Sequence, residues 1–101
     1  MKPKHRPLNP IHPGEILSEE FMKPMAISIN RLARNIAVPP NRVSGIVNGA
    51  RAITADTALR LGKYFGTTPE FWVNLQAGHD LRMAGQHVWP KVESRVLVRA
   101  A

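Results

Sequence analysis

The chain has 101 residues, 44% of them hydrophobic, which is enough for one modest core and therefore for one domain. Its 14 Lys and Arg residues against 7 Asp and Glu residues give a formal net charge of +7, so the partners to consider are negatively charged: nucleic acid, an anionic membrane or an acidic protein. Without cysteine the chain has no disulfide, thiolate zinc site or cysteine nucleophile, and without ~20 consecutive apolar residues it has no membrane span, so a soluble cytoplasmic protein is predicted.

The first helix is predicted to follow a polar arm. Residues 1–10 are rich in Pro and Lys and lack hydrophobic periodicity, which predicts a disordered basic arm. The arm could contact DNA phosphates, although a solvated tail has the same composition. A helix is then predicted from Pro13, because proline is tolerated at a first helical position, to the stop at Pro24. Leu17 and Phe21, spaced i and i+4, are its predicted core contacts.

Two short helices joined by a turn are predicted next. Ser28 is the predicted N-cap of the second helix, in which apolar residues recur at i, i+3, i+4 and i+7. These residues are Ile29, Leu32, Ala33 and Ile36. Pro39 and Pro40 break this pattern, and Pro40 suits the first turn of a third helix that ends at Asn48 and Gly49. The predicted buried side of the third helix consists of Val43, Ile46 and Val47.

Two further helices complete the predicted domain, residues 11–84. Thr54 as N-cap and Gly66 as C-terminal stop bound the fourth helix. The fifth begins at a capping box formed by Thr67 and Glu70. The predicted fold class is therefore all-α, with five helices of which the second and third form a helix-turn-helix.

A C-terminal tail, residues 85–101, lacks the helical pattern. Within it, residues 92–99 alternate between apolar and polar well enough for one short strand. Two interpretations remain open: a frayed end, or a strand that pairs across a dimer or with a partner chain.

The basic residues concentrate on the predicted helix-turn-helix. Residues 30–63 contain six basic residues and one acidic residue, Asp56, whereas residues 1–29 and residues 64–101 each contain four basic and three acidic residues. Because positive charge clustered on one motif is typical of proteins that bind the phosphate backbone, double-stranded DNA is the predicted partner.

Base contacts are predicted at the start of the third helix. In a DNA-binding helix-turn-helix this helix enters the major groove amino end first, so its exposed first residues face base edges. The candidates are Pro40, Asn41, Arg42, Ser44 and Gly45. Asn41 can pair in bidentate fashion with adenine and Arg42 with guanine, whereas Ser44 discriminates little. Gly45 removes a side chain from the outward face, so the backbone can come close to the groove floor.

Phosphate contacts are predicted on either side of the third helix. The candidates are Ser28, Arg31, Arg34, Asn48, Gly49 and Arg51. Arg31 and Arg34 also have an interpretation as ordinary helix-surface arginines, and Asn48 as a C-cap residue.

Segments outside the third helix make the chain recognisable. Residues 11–17 read IHPGEIL, residues 67–76 read TTPEFWVNLQ and residues 80–82 read DLR. Together with the helix-turn-helix between them, these segments resemble the HigA/VapI family of antidote proteins from bacterial toxin–antitoxin modules, over about residues 8–84. The resemblance implies a lambda-repressor-like domain that dimerises, binds a palindromic operator in its own promoter and neutralises a HigB toxin, an mRNA-cleaving relative of RelE.

The implied dimer gives the fifth helix a second predicted role. It is the last packed element, and an aromatic anchor counts most at an interface, although Trp72 is more often explained as a core residue. The candidate dimer residues are Phe71, Trp72, Leu75, Asp80 and Arg82. Asp80 and Arg82 could pair across the interface. Two-fold symmetry then places the two recognition helices about 34 Å apart, one turn of DNA.

Two features depart from the family pattern. A net charge of +7 complements a basic toxin poorly unless the toxin-facing patch is locally acidic, as Glu15, Glu19 and Glu20 would allow. In addition, residues 85–101 match no known motif. A stand-alone repressor of the same fold, without a toxin partner, therefore stays as the alternative function.

Catalysis and membrane binding are rejected on the residues present. The histidines, which are His5, His12, His79 and His87, do not have metal-ligand spacing, and there is no glycine-rich phosphate loop or nucleophile elbow. No metal or cofactor is expected. His12 precedes Pro13 at a helix start, where capping or packing is predicted. The second helix is too short for a basic amphipathic membrane helix.

Overall fold

The computed structural model describes residues 10–100, which fold as helices with brief connections. The helices in chain order are α1 (Pro13–Ile16), which runs directly into a π-helical segment (Leu17–Met22), α2 (Ile29–Asn35), α3 (Pro40–Val47), α4 (Ala55–Phe65), α5 (Pro69–His87) and α6 (Trp89–Val92). A 3-10 turn (Glu93–Arg95) follows α6. The predicted all-α class is confirmed. Within residues 10–100, no helix is both long and apolar enough to cross a membrane.

Ser28 and Thr54, which are predicted to cap the second and fourth helices, do so. Ser28 Oγ accepts a hydrogen bond from the Arg31 N–H at 3.1 Å, and Thr54 Oγ1 accepts one from the Thr57 N–H at 3.3 Å. Each bond satisfies an N–H group that has no partner within the first turn of its helix. Gly66 ends α4 with φ at 76°, a left-handed conformation that a residue without Cβ adopts at no steric cost.

The predicted capping box of the fifth helix was wrong by one residue. Thr68, not Thr67, is the N-cap of α5, and its Oγ1 accepts the Phe71 N–H at 3.2 Å. Thr67 Oγ1 instead accepts the indole Nε1–H of Trp72 at 2.7 Å. A buried indole N–H needs an acceptor, so the tertiary position of Trp72 decides which of two adjacent threonines caps the helix.

The predicted strand over residues 92–99 is also wrong. Among residues 10–100 there is no strand; α6 and the 3-10 turn occupy positions 89–95, and the following apolar residues are exposed. An alternating pattern forms a strand only where a neighbouring strand can pair with it, and none is present within that range. In addition, α5 continues through Gly85 to His87, so the predicted boundary after residue 84 falls inside this helix. The predicted arm, apart from Pro10, lies outside the described residues.

The core takes one large side chain from the π-helical segment and one from each of α2, α3, α4 and α5. These are Leu17, Leu32, Ile46, Leu61 and Trp72, each at most 1% exposed. Full burial of such a side chain stabilises the fold by roughly 1.5–3 kcal/mol. Because Ile46 belongs to α3, this core fixes which side of α3 faces inward and which faces outward.

Candidate nucleic-acid interface

The amino end of α3 is exposed while its opposite side is buried. Val43 and Ile46 are each 1% exposed, whereas Pro40 and Asn41 lie on the surface and Ser44 is partly exposed. No side chain caps this end of the helix. The Ser44 hydroxyl donates to the Asn41 carbonyl oxygen at 3.3 Å, so it is directed back along its own helix. The first turn of α3 is thus open to an approaching ligand.

Arg42 is held by an acidic residue of α4. Its Nη1 lies 2.8 Å from Asp56 Oδ2, and Arg60 Nε lies 3.1 Å from the same oxygen. The hydrogen bond from Arg60 and then that from Arg42 lower the pKa of Asp56. The sequence alone shows the Asp56 and Arg60 pair at i, i+4 spacing, but the pairing of Arg42 with Asp56 joins residues 14 positions apart and was missed.

Arg60 also fixes the turn of the helix-turn-helix. Its Nη1 donates to the carbonyl oxygens of Ile36 at 2.9 Å and Ala37 at 3.0 Å. Ala37 has φ at 60°, a left-handed conformation that is unfavourable for a residue with Cβ. Arg60 therefore satisfies the carbonyl groups at the end of α2 and braces the turn that sets the direction of α3.

Gly45 makes room for Arg51. A Cβ at Gly45 would overlap the Cγ and Cδ atoms of Arg51, and the Gly45 carbonyl oxygen accepts the N–H groups of Ala50 at 2.8 Å and Arg51 at 3.0 Å. The space left by the missing side chain is thus filled by the aliphatic part of Arg51. Close approach of the backbone to DNA at Gly45 stays a prediction, but the structure supplies a different reason for glycine here.

The loop after α3 is tied to α5 by a residue that sequence reasoning missed. Gln76 is buried, and its Oε1 accepts the buried N–H of Ile53 at 2.8 Å while its Nε2 donates to Asp80 Oδ1 at 2.9 Å. Gln76 lies four residues after Trp72, hence on the same buried side of α5, which is the signal that could have identified it. The bond holds the loop that carries the exposed Arg51.

The remaining predicted phosphate residues lie at the ends of α2 and α3. Ser28 is the N-cap of α2, and Arg31 and Arg34 are exposed on that helix. Asn48 is the C-cap residue of α3, as predicted, and Gly49 follows with φ at 80°. All of these positions are accessible, and their contacts with phosphate stay predictions.

The first predicted motif, residues 11–17, docks against the carboxyl end of α3. A Cβ at Gly14 would overlap the carbonyl oxygen of Ile46, so only glycine permits this approach. His12 is the N-cap of α1, as predicted, and its Nδ1 accepts the Gly14 N–H at 2.9 Å. The His12 ring lies beside Gly49 and 4.9 Å from the His79 ring. Burial lowers the pKa of His12, and nearby His79 lowers it further, whereas Asp80 opposes them.

The predicted dimer residues fall into two groups. Trp72 is 0% exposed and packs against Phe21 at 4.8 Å between ring centroids, so it belongs to the core of its own chain and is not available to a partner. Phe71 is 38% exposed and Leu75 is partly buried. Arg82 is exposed, and Asp80 is bonded to Gln76 of the same helix.

Comparisons with known proteins identify the family. A helix-turn-helix family model matches residues 19–72. Virulence-associated protein I of Dichelobacter nodosus is 54% identical over 76 residues, which are 75% of this chain and 70% of that protein. The structure of an addiction module antidote protein of the HigA family from Coxiella burnetii has a TM-score of 0.84 and 56% identity, covering 90% of this chain and 99% of that one. The chain belongs to the HigA/VapI family of helix-turn-helix proteins.

Several of the similar solved structures contain DNA. Pseudomonas aeruginosa antitoxin HigA, solved with the higBA promoter, has a TM-score of 0.87 and 41% identity, covering 91% of this chain and 100% of that one. In the present HigA/VapI chain, α2, the turn and α3 all lie within the matched residues 19–72. The match to the helix-turn-helix family model therefore includes the elements that present the candidate interface.

Proposed function

We propose that this HigA/VapI chain is a sequence-specific DNA-binding repressor that binds a palindromic operator in its own promoter as a homodimer. The observation that carries the proposal is the open first turn of α3, where Asn41 is exposed and Arg42 is partly exposed. Val43 and Ile46 form the buried side of the same helix. Amide and guanidinium groups at this place match the major-groove edges of adenine and guanine. The promoter complex of Pseudomonas HigA supports the proposal by relationship.

Exposed basic residues on both sides of α3 support the same proposal. Arg31 and Arg34 are exposed on α2, and Arg51 is exposed in the loop held by Gln76. Cations here would fix the register of α3 without reading sequence, because phosphates are the same in every base pair.

The homodimer is proposed to form through the exposed apolar side chains of α5 and α6. Leu81 is 74% exposed and Trp89 is 43% exposed, and together with Ala84 and Val88 they line an open apolar cleft. This surface replaces the core residue Trp72 as the proposed aromatic contact. An exposed apolar patch on a small protein is typical of a surface that binds another chain.

The proposed biological role is that of an antitoxin that neutralises a HigB/RelE-like mRNA-cleaving toxin. Family membership supports this role. Glu15 of α1 and Glu20 of the π-helical segment are exposed toward a basic partner, and Glu19 is exposed but paired with Lys23 at 2.6 Å. The stand-alone repressor shares every DNA contact, so only the partner distinguishes the two. Co-expression with the product of the neighbouring gene distinguishes the two functions. A stable complex supports the antitoxin function, whereas the absence of a toxin-like neighbour and of any complex supports the stand-alone repressor.

DNA binding is tested by site selection and footprinting on the promoter. Arg42→Ala is expected to weaken operator binding by about 1–3 kcal/mol and to relax the preference at one base position. Arg31→Ala or Arg51→Ala is expected to weaken binding to all sequences and to reduce the salt-dependence slope by about one unit each. A footprint and base preference unchanged by Arg42→Ala would contradict the assignment of α3 as the reading helix.

A further inference from the structure

We propose that Asp56 of α4 is a specificity-determining residue, which positions Arg42 to read one base pair and prevents it from binding phosphate instead. The inference rests on the proposed function, since it concerns the same interface. It assigns to α4, outside the two helices of the helix-turn-helix, a part in deciding which sequence α3 reads.

A continuous series of hydrogen bonds and ion pairs connects the turn between α2 and α3 to Arg42. Arg60 Nη1 is bonded to the Ile36 and Ala37 carbonyl oxygens, and Arg60 Nε lies 3.1 Å from Asp56 Oδ2. The same Asp56 oxygen lies 2.8 Å from Arg42 Nη1. Asp56 is therefore held by the Arg60 guanidinium, which is itself hydrogen-bonded to the backbone. The position of Asp56 is set before any ligand arrives.

Arg42 keeps enough donors to read a base while it is bonded to Asp56. A guanidinium carries five N–H donors in one plane, and the bond to Asp56 uses one at Nη1. The remaining donors can still pair in bidentate fashion with O6 and N7 of guanine. The Arg42 side chain is 33% exposed and borders an open cleft of about 270 Å³ together with Arg51, Thr54 and Asp56. The bonded arginine is thus accessible to DNA.

Holding Arg42 has opposite effects on specific and on general binding. An arginine ordered in the free protein loses less side-chain freedom when it binds its base, which favours the correct site. The Asp56 carboxylate, 54% exposed on the same surface, repels phosphates of any sequence. Asp56 is therefore expected to increase discrimination and to decrease affinity for unrelated DNA. An ion pair with only a structural role would not increase discrimination at the base position that Arg42 reads.

The test compares Asp56→Ala with Glu70→Ala in the full chain. Asp56 and Glu70 are both exposed acidic residues in the first turn of a helix, so each substitution removes the same charge from the same kind of position. Binding is measured to the selected operator, to its single-base variants and to an unrelated duplex, at one salt concentration. Arg42→Ala identifies the base position that Arg42 reads.

Asp56→Ala is expected to lower discrimination at that position by about 3- to 10-fold, in the range of coupling between contacting side chains. It is also expected to tighten binding to the unrelated duplex. Glu70→Ala is expected to leave that position unaffected, and Asp56→Ala in the Arg42→Ala background is expected to cause no further loss there. Asp56→Asn, which keeps an acceptor oxygen without the charge, is expected to retain part of the discrimination and serves if the alanine variant is unstable.

Several results would overturn the inference. Discrimination unchanged in Asp56→Ala and Asp56→Asn, an equal loss at every base position, or the same loss with and without Arg42 would each show that Asp56 does not act through Arg42. These outcomes are distinct from a failure of the proposed function. In that case the wild-type chain itself would select no DNA sequence.

Discussion

Replacing Gln76 tests how the loop after α3 is held. Gln76→Met keeps a side chain of similar length but removes the acceptor for the buried Ile53 N–H, which lies 2.8 Å from Gln76 Oε1. A buried N–H left without a partner costs about 1–3 kcal/mol. Gln76→Ala loses the same bond and also leaves a cavity, since the side chain is buried, so its cost is expected to exceed that of the methionine variant.

Urea unfolding monitored by circular dichroism measures both costs as a change in the free energy of unfolding. The matched control is Gln86→Ala, an exposed glutamine on the same helix, for which a change within about 0.5 kcal/mol is expected. Because the released loop carries Arg51, both Gln76 variants are also expected to weaken binding to all DNA sequences. A Gln76→Met variant as stable as the wild type would refute the importance of this bond.

Three further outcomes are expected. Gly14→Ala should destabilise the fold by about 1–3 kcal/mol in thermal unfolding, because the new Cβ overlaps the Ile46 carbonyl oxygen. The control Gly85→Ala, whose Cβ would have nothing within 4 Å, should not destabilise it. Equal effects of the two substitutions would contradict the close approach of Gly14 to α3. Folding lowers the pKa of His12 from its ordinary value of 6.5, so the unfolded chain binds more protons just below that pH. The free energy of unfolding should therefore fall as pH drops below 6.5 and be retained above it. His12→Asn, which keeps a capping oxygen, should reduce the slope of the free energy of unfolding against pH. An unchanged slope would exclude His12 as its source. Leu81→Asp should shift the chain from dimer to monomer in analytical ultracentrifugation without unfolding it, and a dimer that persists would place the interface elsewhere.

The sequence was informative where structure depends on neighbouring residues. Ser28 and Thr54 cap their helices by bonds to N–H groups three residues away, and that spacing is visible in the sequence. Which of Thr67 and Thr68 caps α5 is not visible in the sequence, because the choice depends on where the Trp72 indole is buried. The same limit applies to the interface. The exposed start of α3 follows from its apolar spacing, but the bond from Arg42 to α4 follows only from tertiary packing.

The apolar alternation of residues 92–99 misled for a related reason. Alternation describes which side chains would share a face if a strand formed, but strand formation requires hydrogen bonds to a second strand. Within residues 10–100 no such partner exists, and the helical signal of Pro90 near the start of α6 prevails. A local pattern predicts local structure well only when its stabilising partner is also local.

Residues outside α3 determine how this helix is presented. At its amino end, Arg60 braces the turn and Asp56 holds Arg42. At its carboxyl end, Gly14 admits the Ile46 carbonyl oxygen, and Gln76 fixes the loop that follows. Substitutions in this support should change stability and affinity for all DNA together, whereas substitutions at the exposed start of α3 should change the preferred sequence. Asp56 is the expected exception, since it belongs to the support and yet is bonded directly to Arg42, the side chain proposed to read a base.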